Sequence, residues 1–200
     1  MISRRGLLKR SRLYIILDRD LLGAGIYDVA RQAGKAGADT MQLRGKYSSQ
    51  KELFRTALTL KKIARRFRIP FIVNDDVALA VAVGADGLHI GRGDIDIGLA
   101  RRFLGKDKLI GVSAKSYRQA LAAKKAGADY LGIGPVFRTP IKRRLRPRGF
   151  GLLRKVRQLN IPAFAIGGIN MNNISEVTEK GFKRIAVIRA ISAAKNPHLA

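Results

Sequence analysis

Gly37-Ala38-Asp39-Thr40-Met41-Gln42-Leu43 reads as a helix end, a tight turn and a short apolar strand, and the chain repeats that phrase. Gly84-Ala85-Asp86 precedes Gly87-Leu88-His89-Ile90, and Gly127-Ala128-Asp129 precedes Tyr130-Leu131-Gly132-Ile133. Gly181-Phe182-Lys183 holds a similar place before Ile185–Ile188. A glycine at this point suits a left-handed helix C-cap that feeds a short turn into the strand. Successive copies lie about two βα units apart, which makes the pattern an internal repeat.

Working outward, the same grammar predicts strands at Leu13–Leu17, Thr40–Leu43, Phe71–Val73, Gly87–Ile90, Leu109–Val112, Tyr130–Ile133, Ala163–Ile166 and Ile185–Ile188. Each is short, bounded by Gly, Asp or Pro and apolar on both faces, as buried parallel strands are. Between them, stretches such as Ser49–Phe67 and Tyr117–Ala126 carry apolar residues at helical spacing and basic residues elsewhere. Strand and helix alternate without a Pro/Gly/Ser-rich linker. The fold expected is α/β, a single (β/α)8 TIM barrel spanning residues 1–200, with 1–12 as a basic N-terminal extension. An open doubly wound sheet is the alternative.

Composition narrows the function. The chain has 200 residues, 46% of them hydrophobic, enough for one domain with a sizeable core. No apolar run approaches the length of a membrane span, and the basic N-terminus lacks the apolar stretch of a signal peptide, so the cytoplasm is the expected address. Cysteine is absent and only His89 and His198 are present, which excludes thiolate and histidine-rich metal sites. Forty Lys and Arg against fourteen Asp and Glu give a net charge of +26, a field that attracts anions of every kind. The cations are spread along the chain and aromatics make up 6%, with no RNA-recognition signature. Phosphorylated small molecules are therefore the expected partners, any nucleic-acid contact is expected to be non-specific, and nothing in the pattern specifies an oligomeric state.

In a barrel of this kind the chemistry sits where strands end. After the second strand, Gln42, Arg44 and Lys46 alternate onto one side and form an anion clamp. Asp18, Asp20, Asp75, Asp76, Asp94 and Asp96 all fall in loops that follow strands, although carboxylates are scarce. Two converging carboxylates plus substrate phosphates are a setting for Mg²⁺; helix capping is the competing explanation for some of them. Ser113 follows the fifth strand, and Gly134-Pro135-Val136-Phe137-Arg138-Thr139-Pro140-Ile141-Lys142 the sixth. Gly167-Gly168 follows the seventh, and the eighth leads through Ile188 and Arg189 into a short helix, a typical barrel phosphate site.

These residues carry a resemblance. The ordered set Gln-Leu-Arg-x-Lys, Val-Asn-Asp, Gly-Ala-Asp-Gly-x-His-x-Gly-x-x-Asp, Gly-Val-Ser, Gly-Pro-Val-Phe-x-Thr-x-x-Lys and Ala-Ile-Gly-Gly-Ile, from about Leu13 to Ile191, resembles thiamine phosphate synthases. The resemblance implies a Mg²⁺-dependent transferase. It would condense 4-amino-2-methyl-5-hydroxymethylpyrimidine diphosphate with 4-methyl-5-(2-phosphoethyl)thiazole to give thiamine phosphate and pyrophosphate.

It further implies that Gln42, Arg44 and Lys46 hold the pyrimidine diphosphate, Asn74 and Ser113 place the pyrimidine, and Asp75 and Asp94 bind Mg²⁺. Lys142 would reach the diphosphate, Thr139 the thiazole phosphate, and Gly168, Ile188 and Arg189 would close that phosphate pocket. Arg44, Lys46, Ser113 and Lys142 would then be the catalytic set.

The chain departs from the family pattern at Asp76, Arg92, Ile141 (where a second threonine is usual) and Arg189 (where a serine is usual). A related thiazole tautomerase family carries histidine where this chain has Pro135. That reading, or a non-catalytic anion- or RNA-binding barrel with an altered phosphate pocket, is the alternative. His89 is expected to be structural, His198 to sit in a frayed tail, and Arg143 to Arg148 to form a mobile loop over the ligand.

Overall fold

The computed structural model describes residues 3–91, 93–140, 146–147 and 149–194. Its centre is a closed parallel barrel with strand order β1-β2-β3-β4-β5-β6-β7-β8. The strands are β1 (Leu13–Asp18), β2 (Thr40–Arg44), β3 (Phe71–Asn74), β4 (Gly87–Ile90), β5 (Leu109–Ala114), β6 (Tyr130–Ile133), β7 (Ala163–Ile166) and β8 (Ile185–Val187). Closure comes from β1 pairing with β8, Leu13 opposite Ile185 and Ile15 opposite Val187. The open-sheet alternative is thereby excluded.

Around the barrel run α3 (Ile26–Lys35), α4 (Gln50–Arg66), α5 (Val77–Ala82), α6 (Ile97–Leu104), α7 (Tyr117–Lys125), α8 (Gly149–Arg157) and α9 (Ile174–Glu179). Short helices α2 (Arg19–Leu22) and α10 (Arg189–Ser192) follow the first and last strands. The longest, α4, starts at a capping box in which Ser49 and Glu52 satisfy each other's free amides. Strand residues of one parity pack outward against these helices, for example Ile15, Leu17, Met41 and Leu43. The other parity fills the interior with Tyr14, Ile16, Ile72, Leu109, Tyr130, Phe164 and Ala186.

The repeated Gly-Ala-Asp has a structural reason beyond its glycine. Each aspartate is a clamp on the start of the preceding strand. Asp39 accepts from the Arg12 and Leu13 amides at 2.8 Å each, Asp86 from the Phe71 amide at 3.1 Å, and Asp129 from the Ile110 amide at 2.9 Å. Two clamps also hold the N-terminal helix α1 (Arg4–Arg10): Arg4 pairs with Asp86 and Arg5 with Asp129, both at 2.6 Å. Leu8 of α1, buried, seals this end of the interior against the cluster around Tyr14. The opposite end is thus the open one.

Gly111 exists for the interior. A Cβ on it would run into the Tyr130 ring. Overpacking of this kind costs about 1–3 kcal/mol, so Gly111→Ala is expected to lower the unfolding midpoint in a denaturant titration by a corresponding amount. A midpoint equal to wild type would mean that the ring has room to move.

Candidate functional site at the open end of the barrel

The post-strand carboxylates have separate tasks. Asp76 and Asp96 are helix caps: Asp76 accepts from the Leu79 amide at 2.8 Å, and Asp96 from the amides of Gly98 and Leu99. Asp76 also accepts from Gln50 at 3.0 Å, which accounts for an aspartate at this departure from the family pattern. Asp18, almost fully buried, ion-pairs with Arg44 on the neighbouring strand. Asp20 folds the loop after β2, accepting from the Lys46 amide at 2.6 Å, the Tyr47 amide at 3.1 Å and the Ser48 hydroxyl at 2.6 Å. Burial works against its charge, but these hydrogen bonds win and hold its carboxyl below the usual aspartate range.

Asp75 and Asp94 remain, and they face each other. Partial burial and the adjoining Asp75 carboxylate push the Asp94 carboxyl above its ordinary range, against the pull of the Gly91 amide and of Lys46. Lys46 ion-pairs with Asp75, and the Gly91 amide donates to Asp94 at 2.6 Å. Asp75 sits at φ 63°, a left-handed backbone that turns its side chain at the end of β3. Among the described residues no cluster of three or more His, Cys, Asp or Glu forms a metal cage. Two facing carboxylates whose repulsion Lys46 offsets only in part suit a hard cation whose other ligands are water and phosphate.

Gln42 lies one layer below Arg44: it is buried, and its amide Nε2 donates to the Tyr14 hydroxyl at 2.7 Å. The Tyr14 and Tyr130 hydroxyls are 2.7 Å apart. Burial raises the pKa of both phenols well above the usual range, outweighing the hydrogen bonds at Tyr14, so both stay neutral. His89 spans from Tyr130, 3.3 Å from Nδ1, to Ser113, 3.0 Å from Nε2. Asn74, beside His89 in register, ends β3 at the rim.

On the far side of the rim lies a cavity of about 290 Å³. Ser113, Lys115, Pro135, Arg138, Thr139, Gly168, Ile188 and Arg189 are among the residues that line it. Gly167 and Gly168 adopt φ 102° and 70°, and a side chain on Gly168 would strike Phe137 and the Arg138 carbonyl. The loop after β6 can lie against them only because they are glycines. Arg189 is exposed and lines the cavity. Arg92, Ile141, Lys142 and His198 lie outside the described residues, as does most of the stretch from Arg143 to Arg148.

The structure therefore gathers Arg44, Lys46, Asp75 and Asp94 on one side, Thr139, Gly168, Ile188 and Arg189 on the other, with Ser113 between cavity and interior. Sequence reasoning missed Asp18 and Asp20 as holders of the cationic side, and Tyr14 and Tyr130 as polar members of the interior. The inward-facing strand glycines Gly111 and Gly132 were the available signal, since glycine inside a strand marks a close approach.

Comparison with known proteins finds relatives along nearly the whole chain. A family model described as thiamine monophosphate synthase matches residues 13–191. A thiamine-phosphate synthase of Persephonella marina is 40% identical over 181 residues, 90% of this chain and 87% of that protein. One from Shouchella clausii is 42% identical over 192 residues, covering 94% and 92%. The solved thiamine phosphate pyrophosphorylase from Pyrococcus furiosus superposes with a TM-score of 0.87 at 38% identity, covering 98% of this chain and 93% of that one. KGPDC from Streptococcus mutans, with a TM-score of 0.66 at 15% identity, shares the fold alone. With a family model spanning nearly all of it and relatives at this identity over nine-tenths of its length, the chain belongs to the thiamine monophosphate synthase family.

Proposed function

We propose that the chain is a thiamine phosphate synthase, a transferase that joins the pyrimidine diphosphate to the thiazole phosphate and releases pyrophosphate. The observation that carries this reading is the facing pair Asp75 and Asp94, flanked by the cations Lys46 and Arg44, across the rim from a cavity of about 290 Å³ lined by Thr139, Gly168 and Arg189. Asp75 and Asp94 would hold Mg²⁺, which when bound neutralises charge growing on a departing diphosphate.

The protein's own part is electrostatic and positional. Arg44, aimed by Asp18, and Lys46, on a loop folded by Asp20, hold the diphosphate oxygens. Ser113 and Asn74 orient the pyrimidine ring. Gly168, Thr139, Ile188 and Arg189 seat the thiazole phosphate so that the ring nitrogen faces the methylene carbon. As the carbon–oxygen bond to the diphosphate breaks, the electron pair leaves with pyrophosphate, and the nitrogen lone pair forms the new bond. No protein base is needed. Pro135 in the cavity wall has no group able to move a proton, which speaks against a tautomerase. Among the described residues no helix is long and apolar enough to cross a membrane, and the cytoplasm remains our proposed address.

The test is an assay of purified protein with both phosphorylated substrates, with and without Mg²⁺, scored for thiamine phosphate. Product that disappears on chelation supports the reading; absence of product with bound pyrimidine diphosphate refutes it. Two outcomes follow from the geometry. Arg189→Ala is expected to raise KM for the thiazole phosphate, with kcat little changed. A charged hydrogen bond contributes about 1.5–3 kcal/mol, so the rise is roughly ten- to a hundredfold. Apparent Mg²⁺ affinity is expected to weaken as pH falls. Asp94 holds its proton more tightly than an ordinary aspartate, so the proton competes with the cation from a higher pH downward. Isothermal titration across mildly acidic pH reads this directly; pH-independent affinity would remove Asp94 from the metal site.

A further inference from the structure

Five side chains from five strands form one buried hydrogen-bonded chain across the barrel interior: Gln42, Tyr14, Tyr130, His89 and Ser113. It ends at a hydroxyl that lines the open cavity. Space for it is prepared in the backbone, since Gly111 makes room for the Tyr130 ring and Gly132 lies against the His89 ring. Phe164 packs edge-on against both tyrosines, with centroids 5.2 and 5.8 Å away, and holds the rings in place.

The chain has a direction. At one end the Gln42 amide nitrogen can only donate, so the Tyr14 oxygen accepts. Either hydroxyl can donate across the tyrosine pair, but Tyr14 already accepts from Gln42, so only donation from Tyr14 to Tyr130 gives its buried proton a partner. The Tyr130 proton is then directed to His89 Nδ1. An accepting Nδ1 leaves the neutral ring protonated at Nε2, which donates to Ser113 Oγ. The Ser113 proton is left free to point into the cavity.

We propose that His89 is a positioning residue for the transferase reaction, locked by Tyr130 as the Nε2–H tautomer so that Ser113 donates its hydroxyl proton to an acceptor atom of the pyrimidine substrate. The inference rests on the assignment of Ser113 to the pyrimidine given above. Reversal of the chain would point the Ser113 proton back at His89 and leave the substrate facing a lone pair. The structure thus makes Ser113 a donor through three residues that need not touch the substrate.

With only two histidines in the chain, the tautomer is directly readable by two-bond ¹H–¹⁵N correlation on uniformly ¹⁵N-labelled protein, with His198→Gln to assign the second signal. The expected result is an Nε2-protonated His89 in the ligand-free protein. A dominant Nδ1–H tautomer would overturn the proposal outright. In kinetics, Tyr130→Phe keeps the ring and its packing, so it is expected to lower kcat/KM for the pyrimidine diphosphate about tenfold, the worth of one hydrogen bond. It should cause no further loss in the Ser113→Ala background. Losses that multiply would show that the Tyr130 hydroxyl acts independently of Ser113 and would refute the relay. If Ser113→Ala left turnover unchanged, the assignment of Ser113 to the pyrimidine would fail and the proposal with it, whichever tautomer the spectrum showed.

Discussion

With Asp75 changed to asparagine, turnover is expected to fall by roughly a thousandfold while the barrel melts near the wild-type temperature. The substitution keeps the shape of the side chain and removes one of the two charges that face each other at the rim. A metal at a developing anion contributes several kcal/mol to the transition state, and each 1.36 kcal/mol is a factor of ten in rate. Stability moves little for a local reason. Asp75 loses its attraction to Lys46 but also its repulsion with Asp94, and both groups are partly exposed. Single-turnover measurements at saturating pyrimidine diphosphate, paired with thermal melts, separate the two effects. A loss of only a few fold would sink the role of Asp75 in metal binding. A loss accompanied by a collapsed melt would place the residue in the fold instead.

Arg44→Ala is expected to fail on both counts. Asp18 is 1% exposed, and Arg44 is its ion-pair partner. Removing one member of a buried pair leaves an uncompensated charge and costs about 3–5 kcal/mol, measurable by denaturant unfolding. Activity should fall as well, through a raised KM for the pyrimidine diphosphate. The double change Asp18→Asn with Arg44→Gln removes both charges and keeps hydrogen-bonding amides in their place. It should recover most of the stability and none of the affinity. Recovery of both would mean that the guanidinium never touched the diphosphate; recovery of neither would mean that the pair is indispensable to the local fold.

The strands were legible because each is a short apolar run bounded by a residue that strands avoid. Only edges moved: Asp18, Arg44, Asn74, Ser113 and Ala114 extend their strands, so Ser113 lies within β5 rather than after it, and Ile188 falls outside the last. The rim was legible as a set of positions, because every loop after a strand had to reach one end of the barrel. Division of labour within that set was not legible. Asp75 and Asp76 are adjacent and chemically identical, yet one turns inward through a left-handed backbone while the other caps α5. Asp39, Asp86 and Asp129 advertised a turn, but their hydrogen bonds go to strands that no local pattern connects them to. Tyr14 and Tyr130 read as apolar strand residues because their hydroxyls find partners only once the barrel has closed.

Pairing of Leu13 with Ile185 also has a consequence for how the molecule is made. β1 leaves the ribosome before every other strand of the barrel and its neighbour β8 after them all. At about 5–20 residues per second, on the order of ten seconds or more separate them. Through that interval any sheet built by the earlier strands has two bare edges, β1 and its latest strand, and α1, already synthesised, can reach its Asp86 and Asp129 anchors only as those turns emerge. In the closed barrel Leu8 of α1 packs with the cluster of Tyr14 and Ile16, so a chain that has not yet seated α1 leaves those side chains uncovered as well. Nascent chains halted before β8 are therefore the state most exposed to mispairing with one another, and the one that a chaperone would have most reason to hold.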